Sequence, residues 1–312
     1  MLERHRDQLD NPATLVVEAT DPELARVLPN AHRHSDQHDP HHVFAVSPLP
    51  ERPAGVERVV VILPTANGRR ELLLAVLAGQ SPEPLELWLV GATRGGIRGG
   101  VTRLERRAGH AEKLDSARHC KLVRAWLPPG PPVQLADFAH HEAVAGLDLV
   151  SYPGVFSHGR LDAGTAELLP LVEAETGGAR VLDLGCGAGI LTALLARAGH
   201  AVTAVDASST AVAATRATLA ANGLDAEVHC GDLFAGLGRF DAIWTNPPFH
   251  EGTRRTLSVT ERLIREAPEH LLAGGTLTLV ANRELPYPDR LDAAFGRHQV
   301  LRETNRFRVY RA

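Results

Sequence analysis

The chain has 312 residues, of which 44% are hydrophobic and 22% are charged, and it carries a formal net charge of −4. This length predicts two domains, and the composition is that of a globular protein. The negative net charge argues against a protein that binds nucleic acid indiscriminately, because phosphate binding requires clustered positive charge. Three scattered cysteines indicate neither a disulfide framework nor a zinc cluster.

The beginning of the chain is charged, and its apolar runs are short. The first six residues, Met1 to Arg6, are too charged for a signal peptide. No apolar run reaches the length that a transmembrane helix needs. We therefore expect a soluble, cytoplasmic protein without a membrane partner, and we expect it to be a monomer.

A histidine-rich stretch comes early in the chain. It contains His32, His34, His38, His41 and His42, together with Asp36 and Asp39. The spacing matches no metal-ligand motif, and the Pro and Asp content is typical of a solvated loop. We therefore predict a loop here and no metal site.

The rest of the first half alternates apolar strands and a helix. Residues 59–63 and 85–90 read as strands, and residues 70–78 read as a helix between them. Arginines at positions 94, 98, 103, 106 and 107 form a cluster that either contacts RNA or is solvated surface. A proline-rich segment at 128–132 precedes the second half, and we assign the domains to residues 1–140 and 141–312.

A glycine-rich turn follows the strand at residues 180–182 and precedes a helix at 190–196. It contains Asp183, Gly185, Gly187 and Gly189. Glycine permits positive φ and a close approach of a ligand to the backbone, so the turn predicts a nucleotide-binding edge. The third glycine comes one residue too early for a dinucleotide fingerprint, which disfavours NAD. The alternative is a helix cap and loop without a ligand.

Acidic residues follow the next two strands. The strand at 201–205 ends at Asp206, where a carboxylate can accept hydrogen bonds from both hydroxyls of a ribose. The strand at 227–230 is followed by Asp232 and Leu233. An acidic strand end favours a nucleoside whose ribose is not phosphorylated.

The tetrapeptide Asn246-Pro247-Pro248-Phe249 follows the strand at 240–245, at the carboxyl edge of the expected sheet. Two prolines have fixed φ and donate no hydrogen bonds, so they hold the Asn246 amide and the Pro247 carbonyl in one geometry. Two fixed acceptors can pull a conjugated amine toward tetrahedral geometry. Phe249 can stack on an extruded base. The tetrapeptide therefore predicts an amine site, and the alternative is a proline turn with a core Phe.

Together these motifs resemble the Rossmann-like S-adenosylmethionine-dependent methyltransferases, whose first motif is D-x-G-x-G-x-G and whose second strand ends in an acidic residue. The resemblance implies S-adenosylmethionine as cofactor and no metal. In this class (N/D)-P-P-(Y/F/W) marks methylation of a base amino group or a glutamine amide, so it implies catalytic roles for the tetrapeptide. The cofactor-binding residues that it implies are Asp183, Gly185, Gly187, Gly189, Asp206, Asp232 and Leu233.

Peripheral segments narrow the resemblance to the ribosomal RNA guanine-N2 methyltransferases. They are residues 151–157, 161–165, 246–252, 281–288 and 305–311, and they look most similar to the ribosomal RNA small subunit methyltransferase C family. The resemblance implies N2 methylation of a guanine in 16S rRNA, within an assembled or assembling small subunit. It implies two tandem Rossmann-like domains, of which the N-terminal one is degenerate and serves as a scaffold or for RNA docking.

Several residues are weaker candidates for a lid or for substrate contacts. We expect a lid and a helix N-terminus beside the donor, for which the alternative is an ordinary turn and N-cap. Two arginines that follow the predicted catalytic loop are candidates for contacts with RNA. These candidates are Phe156, Asp162, Gly164, Thr165, Arg254 and Arg255.

The first half repeats the element order of the second half without its chemistry. It has no G-x-G-x-G motif, and Leu63-Pro64-Thr65 stands where the amine site would be. The predicted fold is therefore α/β. Its N-terminal domain is a degenerate copy of the C-terminal one, and the C-terminal domain is built on a seven-stranded, mostly parallel sheet with flanking helices. Three alternative functions stay open: a large-subunit guanine methyltransferase, a protein glutamine-amide methyltransferase, and a non-catalytic RNA-binding assembly factor.

Overall fold

The computed structural model describes residues 1–38, 45–247 and 254–312, and it describes the side chains of all of these except 45 and 254–257. The chain divides into two compact units. The first comprises residues 1–139 and 152–154, and the second comprises residues 140–151 and 155–312. Within the described ranges, no helix is long and apolar enough to cross a bilayer.

The first unit is built on a seven-stranded sheet with helices between its strands. Its strands lie in the order β3-β2-β1-β4-β5-β7-β6, and all neighbours are parallel except β7, which is antiparallel to β5 and to β6. The strands are β1 (Thr14–Val17), β2 (His32–Ser35), β3 (Ala45–Val46), β4 (Arg58–Ile62), β5 (Leu85–Ala92), β6 (Glu112–Ala117) and β7 (Cys120–Leu127). The helices are α1 (Arg6–Leu9), α2 (Glu23–Val27), α3 (Asn67–Gly79) and α4 (Ile97–Ala108), with 3₁₀ turns at Leu2–His5 and Leu135–Phe138.

Both faces of this sheet are buried. On β4, Val59 and Val61 belong to one apolar cluster, and Val60 belongs to another that contains Trp88. Strands covered on both faces carry continuous apolar runs rather than alternating ones. This is why residues 59–63 are recognisable in the sequence as a buried strand.

The second unit repeats this architecture. Its sheet has the order β12-β11-β10-β13-β14-β16-β15, parallel up to β14 and antiparallel at β16 and β15. The strands are the hairpin β8 (His140–Val144) and β9 (Leu147–Ser151), then β10 (Arg180–Leu184), β11 (Ala201–Asp206), β12 (Glu227–Cys230), β13 (Phe240–Thr245), β14 (Leu271–Asn282), β15 (Gln299–Glu303) and β16 (Phe307–Arg311). The helices are α5 (Ala163–Glu173), α6 (Ile190–Arg197), α7 (Ser209–Ala221), α8 (Arg254–Glu266) and α9 (Tyr287–Phe295), with a 3₁₀ turn at Ala267–His270.

The two sheets have the same strand order, which confirms the predicted tandem α/β fold and the seven-stranded, mostly parallel C-terminal sheet. In each sheet the strand order reverses at one point, between β1 and β4 in the first sheet and between β10 and β13 in the second. Open α/β sheets place their ligands outside the carboxyl ends of the strands at such a switch point. The division at residues 140 and 141 stays a prediction.

The prediction of a solvated loop in the histidine-rich stretch is wrong for its first part. His32 to Ser35 form β2, and His34 and Asp36 are only 3% and 5% exposed. His34 Nε2 donates to the Ser47 carbonyl at 2.9 Å, and burial lowers the pKa of His34 to about 4. The polar composition of residues 32–35 gave no indication in the sequence that they form a partly buried strand. Asp39, His41 and His42 lie outside the described residues, and the described ones contain no cluster of metal ligands.

The first unit has a buried ion pair at the switch point of its sheet. Glu18 directly follows β1, where Gly185 follows β10 in the second unit, and Arg69 reaches it from the first turn of α3. Arg69 Nε donates to Glu18 Oε1 at 2.9 Å, and the Arg69 side chain is 3% exposed. Burial raises the pKa of Glu18 while the charge of Arg69 opposes that rise. The edge that is glycine-lined in the second unit is therefore occupied by the chain's own side chains in the first.

Removing the Glu18 carboxylate should destabilise the first unit. Glu18→Gln keeps the shape of the side chain but removes the negative charge of Glu18 from its ion pair with the buried Arg69 guanidinium. Breaking a buried pair in this way costs about 3–5 kcal/mol. Urea unfolding should show this loss, whereas Glu23→Gln in the exposed pair with Arg26 should change little. Equal effects of the two substitutions would contradict the structural importance of the buried pair.

Candidate active site

The glycine turn after β10 is open at its first two glycines and crowded at its third. Gly185, Gly187 and Gly189 have φ of +79°, +57° and +82°. A Cβ at Gly185 or Gly187 would meet nothing within 4 Å, whereas one at Gly189 would lie 2.9 Å from Thr215 Cα. The first two glycines thus leave the backbone accessible to a ligand. The third allows α6 to pack against α7.

The carboxylate of Asp206 is held at the end of β11, beside this turn. Its Oδ2 accepts from the Gly187 backbone N–H at 3.0 Å, and its Oδ1 accepts from the Ser208 N–H at 2.8 Å. Hydrogen bonds from main-chain donors to a carboxylate are short and directional. They fix the orientation of the Asp206 carboxylate relative to the turn.

Asp183 and Cys186 are buried below the turn. Asp183 is 1% exposed and accepts a hydrogen bond from the Thr192 hydroxyl, which ties β10 to α6. Burial raises the pKa of Asp183 to about 6. The Cys186 thiol accepts from the Thr215 hydroxyl at 3.2 Å, and burial raises its pKa well above the ordinary value. Cys186 is therefore a packing residue rather than a thiolate nucleophile.

Asp232, after β12, forms an ion pair that the motifs do not predict. Arg262 Nη2 on α8 donates to Asp232 Oδ2 at 2.7 Å, and Arg262 Nε lies 3.2 Å from Glu266. The hydrogen bond to Asp232 raises the pKa of Arg262. Leu233 adopts a φ of +48° and packs partly buried against the core. The four-residue spacing of Arg262 and Glu266 on a helix predicts the pairing of these two residues but gives no signal for the contact with Asp232.

Asn246 lies next to the glycine turn because β13 pairs in parallel with β10, with Thr245 opposite Leu184. Its Nδ2 donates to Asp162 Oδ2 at 2.8 Å and to Thr165 Oγ1 at 2.7 Å. Its Oδ1 is buried and has no partner among the described residues. Pro247 is buried, and Pro248 and Phe249 lie outside the described residues.

The weaker candidates differ in what the structure shows of them. Asp162 caps α5, because its Oδ2 accepts from the Thr165 backbone N–H at 2.9 Å. Gly164 is buried in the first turn of that helix, and the Phe156 side chain is 46% exposed. Arg254 and Arg255 begin α8, and their side chains lie outside the described part of the chain.

One cavity is lined by seven of the predicted site residues. Asn246, the open glycines and the α5 cap line it. Ser157 and Leu161, from the segments that carry the family resemblance, also line it, and so does Arg160, which lies outside those segments. Gly189, Asp206, Asp232 and Leu233 are not part of its lining. The predicted residues that line it are Phe156, Asp162, Thr165, Asp183, Gly185, Gly187 and Asn246.

Comparison with known proteins identifies the family. Residues 146–311 match the methyltransferase small domain, and residues 1–141 match the methyltransferase small domain N-terminal family. The ribosomal RNA small subunit methyltransferase C of Alcanivorax borkumensis is 47% identical over 100% of this chain and 97% of its own length. The chain belongs to this family. The enzyme of the same name from Escherichia coli K12 is 41% identical over 83% of this chain and 76% of its own.

A solved member of this family has the same fold. The T. thermophilus 16S rRNA N2 G1207 methyltransferase, in complex with AdoMet and guanosine, superposes with a TM-score of 0.80. The match covers 99% of this chain and 91% of the other, at 23% identity. At that identity the likeness bears on the fold alone. The family resemblance and the tandem fold predicted from the sequence are confirmed.

The buried Asp183 carboxyl should make stability depend on pH. Its pKa rises from 3.8 to about 6 on folding, so the folded chain binds more protons than the unfolded chain between these values. The contribution of Asp183 to stability is therefore greatest below pH 3.8, declines up to about pH 6 and is constant above it. Asp183→Asn removes this titration.

Urea unfolding of the wild type and of Asp183→Asn across this pH range measures the effect. The wild type minus variant difference in the free energy of unfolding should fall between pH 4 and 6 and level off above. Asp225→Asn, at an exposed position, controls for the removal of a negative charge. A difference that rises with pH over this interval would show that the Asp183 carboxylate is stabilised, not destabilised, by its site.

Proposed function

We propose that this chain transfers a methyl group from S-adenosylmethionine to the exocyclic N2 of a guanine in 16S rRNA. The observation that carries the proposal is the buried Oδ1 of Asn246, an acceptor in the same cavity as the open glycines of the β10 turn. The family's small-subunit members and the solved relative with AdoMet and guanosine support the choice of donor and base.

The residues present fit S-adenosylmethionine, which supplies a methyl group on a sulfonium centre. Gly185 and Gly187 would hold it by close approach of their backbone, since a Cβ at either would enter open space. Asp206, oriented by main-chain donors, would accept hydrogen bonds from the ribose hydroxyls. Asp232 and Leu233 would lie beside the adenine, with Arg262 holding the Asp232 carboxylate in place.

Asn246 and Pro247 orient the amine of the guanine. Its N2 lone pair is conjugated into the ring and is a poor nucleophile. Acceptance of its two hydrogens by the Asn246 Oδ1 and the Pro247 carbonyl favours tetrahedral nitrogen, and the lone pair then points at the methyl group. The bound donor would supply the methyl group to N2: the N–C bond would form as the bond from the methyl carbon to the sulfonium sulfur breaks, and the sulfur would leave as a neutral thioether. The methylated nitrogen would then lose its extra proton to water or to a carbonyl. Pro248 would fix the backbone and Phe249 would stack on the base.

The alternatives share this chemistry and differ in substrate. Labelled donor should be incubated separately with small subunits, 16S rRNA, large subunits and a translation factor that carries a glutamine target. We expect label in 16S rRNA, as N2-methylguanine by mass mapping. Label in 23S rRNA alone or in protein alone would overturn the proposed substrate, and no label in any sample would favour a non-catalytic assembly factor.

We propose that the first unit contacts RNA through a basic surface. Arg98 on α4, Lys113 on β6 and Lys121 on β7 line one shallow cavity, and none has a carboxylate partner in the described part of the chain. Arg103 and Arg107 of the predicted cluster instead pair with Glu71. Clustered cations of this kind attract phosphates. We propose that the protein acts on this substrate in the cytoplasm, as a monomer.

Neutralising this surface should lower the salt dependence of RNA binding. The double variant Lys113→Gln, Lys121→Gln removes two phosphate contacts, so the slope of log K against log salt should become less steep by about 2. Binding of labelled 16S rRNA at several KCl concentrations measures it. Arg26→Gln, an exposed arginine paired with Glu23, is the control. An unchanged slope in the double variant would place the RNA elsewhere.

Substitution of Asn246 and of Asp206 should separate chemistry from donor binding. Asn246→Ala should lower kcat by about 10²–10³-fold while donor affinity changes little, since the oriented acceptor acts on the amine. Asp206→Ala should weaken donor binding by about 1.5–3 kcal/mol, because it removes a charged acceptor. Single-turnover assays and calorimetry measure the two effects. A loss of donor affinity in Asn246→Ala as large as its loss of kcat would assign Asn246 to the donor.

A further inference from the structure

The orientation of the Asn246 amide decides what it offers to a substrate. Its two ends have nearly the same shape, but Oδ1 accepts hydrogen bonds and Nδ2 donates them. An amine on a base carries hydrogens, so it needs the Oδ1 end. A rotation of the amide by 180° would turn the N–H hydrogens of Nδ2 toward the N–H hydrogens of the amine, and the site would repel the amine.

The neighbours of Asn246 exclude that rotation. Nδ2 lies 2.8 Å from Asp162 Oδ2, and an ionised carboxylate can only accept. With the amide rotated, Asn246 Oδ1 would face that carboxylate oxygen at hydrogen-bond distance, acceptor against acceptor. The Thr165 hydroxyl takes the second hydrogen at 2.7 Å, but a hydroxyl could also donate and so does not choose between the two orientations by itself.

We infer that Asp162 is a positioning residue for methyl transfer: its carboxylate, with the Thr165 hydroxyl, locks the Asn246 amide with Oδ1 toward the amine. The inference rests on the proposed function. Both hydrogens of Nδ2 are engaged away from the acceptor, and Oδ1 remains the buried atom without a partner among the described residues. The lock thus acts through Asn246, and Asp162 need not contact the substrate.

Asp162 is itself held in place by α5. The same Oδ2 accepts from the Thr165 backbone N–H at 2.9 Å, and the carboxylate lies at the N-terminus of this helix. The helix dipole favours a negative charge there. Asp162 Oδ2 therefore accepts both the hydrogen bond that caps the helix and the hydrogen bond from the Asn246 amide. A displacement of α5 would consequently shift Asn246 Oδ1.

A helix cap alone does not require an aspartate. Ser208 caps α7 in the same unit, accepting from the Ala211 N–H at 3.1 Å. Asp162→Ser should therefore keep the cap but be too short to engage Asn246. Asp162→Asn keeps both the cap and an acceptor oxygen of the right reach. The two variants separate a capping role from a positioning role.

The experiment measures kcat and KM on 16S rRNA or small subunits, donor affinity by calorimetry, and Tm. We expect Asp162→Ser to lower kcat by about 10²-fold, as a misplaced reacting group does, with donor affinity and Tm near those of the wild type. Asp162→Asn should recover most of the lost kcat. Equal kcat in the wild type and Asp162→Ser would overturn the inference, as would equal losses in the Ser and Asn variants. A loss of donor affinity equal to the loss of kcat would make Asp162 a donor contact instead.

A second pair of variants decides the matter if Asp162→Ser does not fold. Thr165→Val removes the hydroxyl but keeps the side-chain volume and the backbone N–H that Asp162 caps, and Thr165→Ser retains the hydroxyl. We expect a lower kcat in the valine variant and recovery in the serine variant, and equal kcat in the two would overturn the lock. The wild type is assayed in parallel. If the wild type methylates RNA and the variants have the same kcat, only the inference about Asp162 is overturned. If the wild type methylates no RNA, the proposed function is overturned.

Discussion

The parallel pairing of β10 with β11 on one side and β13 on the other is the constraint on which the site depends. Leu184 is opposite Val205 and opposite Thr245, so the three strands end at one level of the sheet. Parallel strands carry their carboxyl ends to the same edge, and a reversal of strand order there opens a crevice. The glycine turn, Asp206 and Asn246 are therefore neighbours through backbone register before any side chain is considered.

The first unit shows that this register does not suffice for a ligand site. Its strands run in the same order, yet Glu18 follows the equivalent strand and Arg69 of α3 pairs with it in the interior. The second unit has glycines without a Cβ at that level, and the first has two charged side chains. The same fold thus supports a cavity in one half and a filled edge in the other, and the difference comes from few residues.

Local features were predictable from the sequence, and distant side-chain contacts were not. Apolar runs and glycines that require positive φ mark the strands and the turn within a few residues. The ion pair of Asp232 with Arg262 joins positions 30 residues apart, and the contact of Asn246 with Asp162 joins positions 84 residues apart. Spacing in the sequence carries no signal for either. The four-residue strand β1 and the polar strand β2 escaped recognition because neither has a long apolar run.

The contacts of Asn246 also bear on how this activity could be moved between proteins. The proposed amine site is a short tetrapeptide in the sequence, yet the hydrogen-bond partners of its Asn246 amide come from the beginning of α5. Grafting the tetrapeptide onto another Rossmann-like sheet would transfer its backbone geometry but leave its acceptor free to rotate. The transferable unit is the loop together with a helix start that presents a carboxylate and a hydroxyl to it, two pieces of chain that must be exchanged as one.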